Sequence, residues 1–185
     1  MLVNRNDSKF SKGGRWAALF VCFFFLAAAK KSDTTTILIV RHAEKQVNAG
    51  EDPHLSDAGV KRAVALADVA ENAHVSSVYV TQFQRTGETA MPLVVKHPDI
   101  KINRLPVDLS KTNDYPKALA NAILSHESGK VVLVVSHSNL VPGIVEALSG
   151  IKVPAMGDSE YSRLYVVTVT PGAPARVISA QYGCT

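Results

Sequence analysis

The chain has 185 residues, 20 of them Lys or Arg and 16 Asp or Glu, for a formal charge of +4. That length builds one domain with a substantial core and excludes two comfortable ones. The charge is concentrated: residues 1–29 carry Arg5, Lys9, Lys12 and Arg15 against Asp7, so all but about +1 of it lies there, which excludes the basic face a nucleic-acid binder needs.

Residues 1–29 read as a secretory signal. A basic stretch precedes the apolar run from Trp16 to Leu26, and Ala27-Ala28-Ala29 supplies a small-residue cleavage site. The apolar run, Trp16 to Ala29, is shorter than the roughly 20 residues a spanning helix requires. Cleavage after Ala29 is expected to leave residues 30–185 as an exported domain, periplasmic or extracellular, with no stable membrane insertion. Cys184 is then the single cysteine, so an intrachain disulfide is excluded.

In the mature chain, strands and helices alternate. Thr34 to Arg41 is a β-branched and leucine run of the kind that is buried on both faces in a parallel sheet. The polar loop Gln46 to Leu55, with Gly50 and Pro53, follows. Ser56 caps a helix to Ala70 whose stripe is Val60, Ala63, Val64, Ala67 and Ala70. Ser77 to Thr81 is a short strand, and Arg85 to Lys96 a helix that Pro92 is expected to kink or interrupt. A strand over Ile100 to Asn103 and a helix over Tyr115 to His126 come next, the helix burying Ala118, Leu119, Ala122 and Ile123. Val131 to Ser136 is a second strand of the fully buried kind, followed by a helix from Asn139 to Leu148 that Gly150 closes. Leu164 to Thr170 and Arg176 to Ala180, around Pro171-Gly172-Ala173-Pro174, form a terminal hairpin. The alternation predicts an α/β fold: a three-layer α/β/α sandwich on a mostly parallel sheet, with room for an antiparallel edge strand.

Two of these strands end in histidine: Ile37-Leu38-Ile39-Val40-Arg41-His42 and Val131-Val132-Leu133-Val134-Val135-Ser136-His137. Side by side and parallel, they deliver both imidazoles and the Arg41 guanidinium to the carboxyl edge of the sheet, where open α/β sheets bind ligands. Arg85 opens a helix just after a third strand. Ser138 and Asn139 begin the segment after His137, where free N–H groups and a helix dipole favour an anion. Two arginines and two histidines around one tetrahedral anion suit phosphoryl chemistry, because guanidinium meets phosphate oxygens in a planar fork.

Arg41-His42-Ala43-Glu44 resembles the Arg-His-Gly-Glu signature of the histidine phosphatase superfamily, in its phosphoglycerate mutase-like branch. The likeness continues through Leu55-Ser56-x-x-Gly59, Thr81 to Ala90 with Arg85 and Thr86, and Ser136-His137-Ser138-Asn139. The resemblance implies that His42 is a nucleophile that becomes phosphohistidine, with Arg41, Arg85 and His137 around the transferred group. It implies a phosphate contact from Asn48, and an acid after the second helix, where Asp108 stands; Glu44 is the rival for that proton. Ala43 replaces the signature's glycine, adding one methyl group close to the site.

The expected activity is hydrolysis of a phosphorylated small molecule or macromolecule, with no cofactor and no metal, since none of the remaining histidines has ligand spacing. Of these, His54 alone is near enough in sequence to reach the pocket. A mutase would need a long lid, and the roughly 45 residues between Arg85 and Val131 are filled by one strand and one helix. The rival from another class is a phospho-ligand-binding module of the same fold that does not turn over.

Overall fold

A computed structural model describes residues 33–108 and 110–183; the expected signal segment and Cys184 lie outside the described residues. Its strands are β1 (Thr35–Arg41), β2 (Val75–Val80), β3 (Lys101–Arg104), β4 (Val131–Ser136), β5 (Arg163–Val169) and β6 (Arg176–Gln181), and its helices α1 (Asp57–Ala70), α2 (Gln84–Lys96), α3 (Tyr115–His126) and α4 (Val141–Ser149). The six strands form one sheet in the order β3-β2-β4-β1-β5-β6. The first four are mutually parallel, while β5 pairs antiparallel with β1 and β6 antiparallel with β5. The terminal hairpin thus extends one side of a parallel sheet.

Period-two alternation in the buried strands sorts side chains into two cores. Ile37, Ile39, Val132 and Val134 face one way, against Leu119 and Ile123 of α3 and Val141, Ile144 and Leu148 of α4. Leu38, Val40, Leu133 and Val135 face the other way, against Leu66, Ala67 and Ala70 of α1 and Ala90 and Leu93 of α2. Both faces of β1 and β4 are therefore covered, which is why these strands carry apolar residues without interruption.

Ser56 caps α1 as expected, its hydroxyl accepting from the Gly59 amide at 3.2 Å. The buried stripe is rotated from the expected one, however. Val60 and Val64 are 51% and 44% exposed, and Arg62 and Leu66 point inward instead. Burying a valine is worth about 1.5–3 kcal/mol, so the inward place of Arg62 needs a partner, and Glu44 supplies it. Ala118 of α3 is likewise exposed, with Tyr115 and Ala120 buried in its stead. Helix α2 runs through Pro92 without interruption, and α4 starts at Val141, two residues later than expected. Gly150 ends α4 with φ 73°, a left-handed cap that glycine adopts without strain.

Candidate active site

Strands β1 and β4 pair in a register that sets Arg41 opposite Ser136, and the His42 amide donates to the Ser136 carbonyl at 2.8 Å. The next residues on the two strands, His42 and His137, therefore emerge together. Their ring centroids lie 5.3 Å apart at 66°, and the residues are only 4% and 9% exposed. Together they line a cleft of about 230 Å³ with Phe83, Arg85, Val107, Thr112, Ser138, Asn139 and Leu140.

The hydrogen bonds of His42 decide its tautomer. Its Nδ1 lies 2.8 Å from the Ala43 carbonyl, which can only accept, so Nδ1 carries the proton and Nε2 keeps its lone pair. The Ala43 amide in turn donates to Thr89 Oγ1 at 2.9 Å, which anchors the residue whose carbonyl orients the ring. Burial lowers the His42 pKa to about 4; the Ala43 bond opposes this, while Arg85, Arg41 and Lys45 add to it. Burial likewise lowers His137 to about 3, helped by His42, Arg85 and Arg41 and opposed by Asp52. Both imidazoles are neutral at pH 7, and His42 has the unprotonated nitrogen that a nucleophile requires.

The two arginines are held differently. Arg85 leans over the Phe83 ring at 4.3 Å and pairs with Asp52 at 3.3 Å. Asp52 also accepts from the Gln84 amide, at 3.0 Å and 3.2 Å, and so caps α2, whose N-cap residue Phe83 has no capping side chain. Arg41 spends its Nη1 on the carbonyls of Gly157, Asp158 and Glu160 and its Nη2 on the Tyr161 hydroxyl, with its guanidinium 4.0 Å above the Tyr161 ring. It is outside the cleft lining, so it acts on the histidines through its field and ties down the 157–161 loop. Both arginines bury an Nε that has no protein acceptor. A buried charged donor without a partner is costly, and an anion seated at this edge is the kind of group that would satisfy it.

Other expected residues fall elsewhere. Ser138 and Asn139 line the cleft, though the amides of Leu140 and Val141 are already bonded to the His137 carbonyl. Glu44 does not share the pocket: strand β1 ends at Arg41, and the Glu44 carboxylate takes three hydrogen bonds of 2.7–2.9 Å from Arg62. Burial raises its pKa, but the Arg62 hydrogen bonds outweigh that and hold it below the ordinary value. Asp108 lies outside the histidine cleft, in a separate hollow with Lys111 and Asp114; its carboxylate is exposed and bonded to Ser110, which lowers its pKa. Asn48 is exposed on the outer loop with φ 57°, a left-handed turn position that asparagine tolerates. His54 pairs with Glu88 beside an apolar groove and is not a wall of the cleft. Reading the sequence missed Phe83, Asp52, Thr89 and Tyr161. Of these only Thr89 carried a signal, standing four residues after Arg85 on the same helical face.

Among the described residues, no group of three or more His, Cys, Asp or Glu is placed to hold a metal ion, and no helix is long and apolar enough to cross a membrane. Residues 37–106 match the model of the histidine phosphatase superfamily (branch 1). The match spans 70 of the 185 residues, and the fold as a whole is the one that solved histidine phosphatases share. The chain superposes on the protein histidine phosphatase SixA in complex with tungstate, with a TM-score of 0.59 and 21% identity over 79% of this chain and 96% of that one. It superposes on mycobacterial glucosyl-3-phosphoglycerate phosphatase bound to VO3, with a TM-score of 0.61 and 15% identity over 80% of this chain and 99% of that one. A phosphoserine phosphatase from Entamoeba histolytica in complex with 3-phosphoglyceric acid gives 0.59 and 11%, over 82% of this chain and 98% of that one. No curated protein matches the sequence.

Proposed function

We propose that this chain is a phosphatase that hydrolyses phosphomonoesters through a phosphohistidine on His42. The observation that carries the reading is the free lone pair on His42 Nε2, fixed by the Nδ1 bond to Ala43 and set beside His137 and Arg85 in one cleft. His42 Nε2 attacks phosphorus in line, the bond to the ester oxygen breaks, and the alcohol leaves with a proton. Water then attacks phosphorus, the phosphorus–nitrogen bond breaks, and phosphate leaves with the imidazole restored. Phosphate-monoester hydrolysis needs its barrier lowered by more than roughly 20 kcal/mol. Positioning by the cleft, with the positive field of Arg85 and Arg41, must supply most of it.

The phosphatases that share the fold support this reading at the level of the reaction. The apolar run and small-residue site before residue 30 support export of the chain, which N-terminal sequencing of the protein recovered outside the cytoplasm tests. One observation favours a second reading, a phospho-ligand-binding module: among the described residues no carboxylate lines the cleft. Assay of the purified chain on p-nitrophenyl phosphate, with His42→Ala as control, separates the two. Turnover that the substitution abolishes supports the phosphatase. Equally negligible rates in both proteins, with phosphate still bound, support the binder.

A further inference from the structure

With Glu44 and Asp108 outside the cleft and Asp52 paired with Arg85, no carboxylate among the described residues lines the cleft to protonate the leaving group, and His137 is the remaining candidate. Its surroundings specify where its proton sits. His137 Nε2 lies 3.1 Å from Thr81 Oγ1, and Thr81 Oγ1 lies 3.2 Å from Thr86 Oγ1. Both threonines are fully buried. Thr86 Oγ1 is 2.8 Å from the Phe83 carbonyl, which can only accept, so the single hydroxyl proton of Thr86 is committed there. The Thr81–Thr86 contact is then a hydrogen bond only if Thr81 donates to Thr86. That uses the single proton of Thr81, so the His137 contact is a hydrogen bond only if Nε2–H donates to Thr81. The opposite polarity would press two oxygen lone pairs together in a buried site, at the cost of an unmade hydrogen bond. The chain therefore runs one way, from His137 Nε2–H through Thr81 and Thr86 to the Phe83 carbonyl.

The other nitrogen, Nδ1, has no hydrogen-bond partner among the described residues, and it is not among the buried unpaired atoms, so it stays open to the cleft that His137 lines. We propose that Thr81 and Thr86 form a hydroxyl relay that fixes the resting proton of His137 on Nε2 and so makes Nδ1 the atom that carries a proton to and from the transferred phosphoryl group. The two threonines are positioning residues; His137 does the exchange. This rests on the phosphatase reading of the cleft.

An unprotonated Nδ1 repels a fully ionised phosphate, so the ester binds with one proton shared between its oxygens and Nδ1. As His42 Nε2 bonds to phosphorus and the ester bond breaks, that proton passes from Nδ1 to the departing oxygen. Nδ1 takes a proton back from the water that cleaves the phosphohistidine, and atoms and charge balance over the cycle. Besides burial, the titratable and charged groups acting on His137 are His42, Arg85 and Arg41, which disfavour its protonation, and Asp52, which favours it. A bound phosphate adds negative charge and reverses the balance.

The test is 15N NMR of the histidine-labelled full chain at pH 7, where protonated and bare ring nitrogens give separate shifts and His137→Asn assigns the signal. The relay predicts Nε2 protonated and Nδ1 bare, with Nδ1 becoming protonated when inorganic phosphate is added. Thr81→Val should scramble the tautomer and lower kcat about 10-fold or more with little change in KM, on an alkyl phosphate more than on p-nitrophenyl phosphate, whose departing oxygen needs no proton. Thr81→Ser should restore both. A resting proton on Nδ1, or a Thr81→Val protein with unchanged tautomer and unchanged kcat, overturns the proposal. The tautomer is read without turnover, so an inactive chain with the predicted shifts would sink the phosphatase reading and leave the relay standing.

Discussion

His42 and Glu44 stand two residues apart in one loop and sit in opposite electrostatic settings. Around His42 the polar groups are only partly answered: burial, with Arg85 and Arg41 adding to it, lowers its pKa to about 4, and Arg41 and Arg85, though partnered at their Nη atoms, each bury an Nε with no acceptor among the described residues. Around Glu44 every charge is answered. Arg62 grips the carboxylate at 2.7–2.9 Å and also donates to the carbonyls of Tyr182 and Gly183, binding the His42–Glu44 loop to α1 and to the residues that follow β6. Both regions look alike as sequence, a charged cluster beside a buried strand. What separates a site from a brace is whether the charges are spent within the protein or held for something that arrives.

The contrast breaks first at its functional end. His42→Ala should cost at least roughly three orders of magnitude in kcat/KM with little loss of stability, read by steady-state kinetics and a thermal melt. At the structural end the effects should reverse. A β-carbon at Gly59 would lie 2.0 Å from the Glu44 carbonyl, so Gly59→Ala forces the loop off the helix and should cost about 3 kcal/mol or more, measured by chemical denaturation. Arg62→Met strands the partly buried Glu44 carboxylate and should cost about 2–3 kcal/mol, with any loss of activity following the loss of fold.

Acid separates the two regions in a different way. Burial holds the folded-state pKa values of His42 and His137 below the ordinary 6.5, at about 4 and about 3, so the unfolded chain takes up more protons there, and stability present above pH 6.5 drains away as pH falls towards 3. Glu44 has a folded-state pKa below the ordinary 4.5, so its contribution is intact above that value and is lost only at more acidic pH. Urea midpoints against pH should therefore slope between pH 6.5 and about 3 in the native chain and lie flatter in His137→Asn. The smallest effect should come from Asp108→Asn: with its carboxylate exposed and outside the cleft, kcat/KM on p-nitrophenyl phosphate should stay within about twofold.

Much of this was legible from residue types alone. The buried runs before His42 and His137 announce two central strands, and their endings announce a shared edge, because a strand covered on both faces has few other places for histidine. Helix α3 and strand β4 fall where periodicity sets them. What stayed hidden depends on partners distant in sequence. The stripe of α1 is rotated because Arg62 reaches Glu44, 18 residues earlier, and hydropathy scores an arginine as outward. Arg41 looked committed to an anion until the carbonyls of the 157–161 loop, more than 110 residues later, claimed its Nη1. Asp108 sits on the expected stretch of chain, but its loop turns the carboxylate to Ser110 and solvent.

The most direct test of the central claim is to trap the intermediate. Rapid acid-free quenching of the chain during turnover of a 32P-labelled phosphomonoester, followed by peptide mapping, should find the label on Nε2 of His42, stable to base and lost in acid. His42→Ala should carry none. Label on a serine, a carboxylate or another histidine, or turnover with no labelled protein at any time point, would contradict the account.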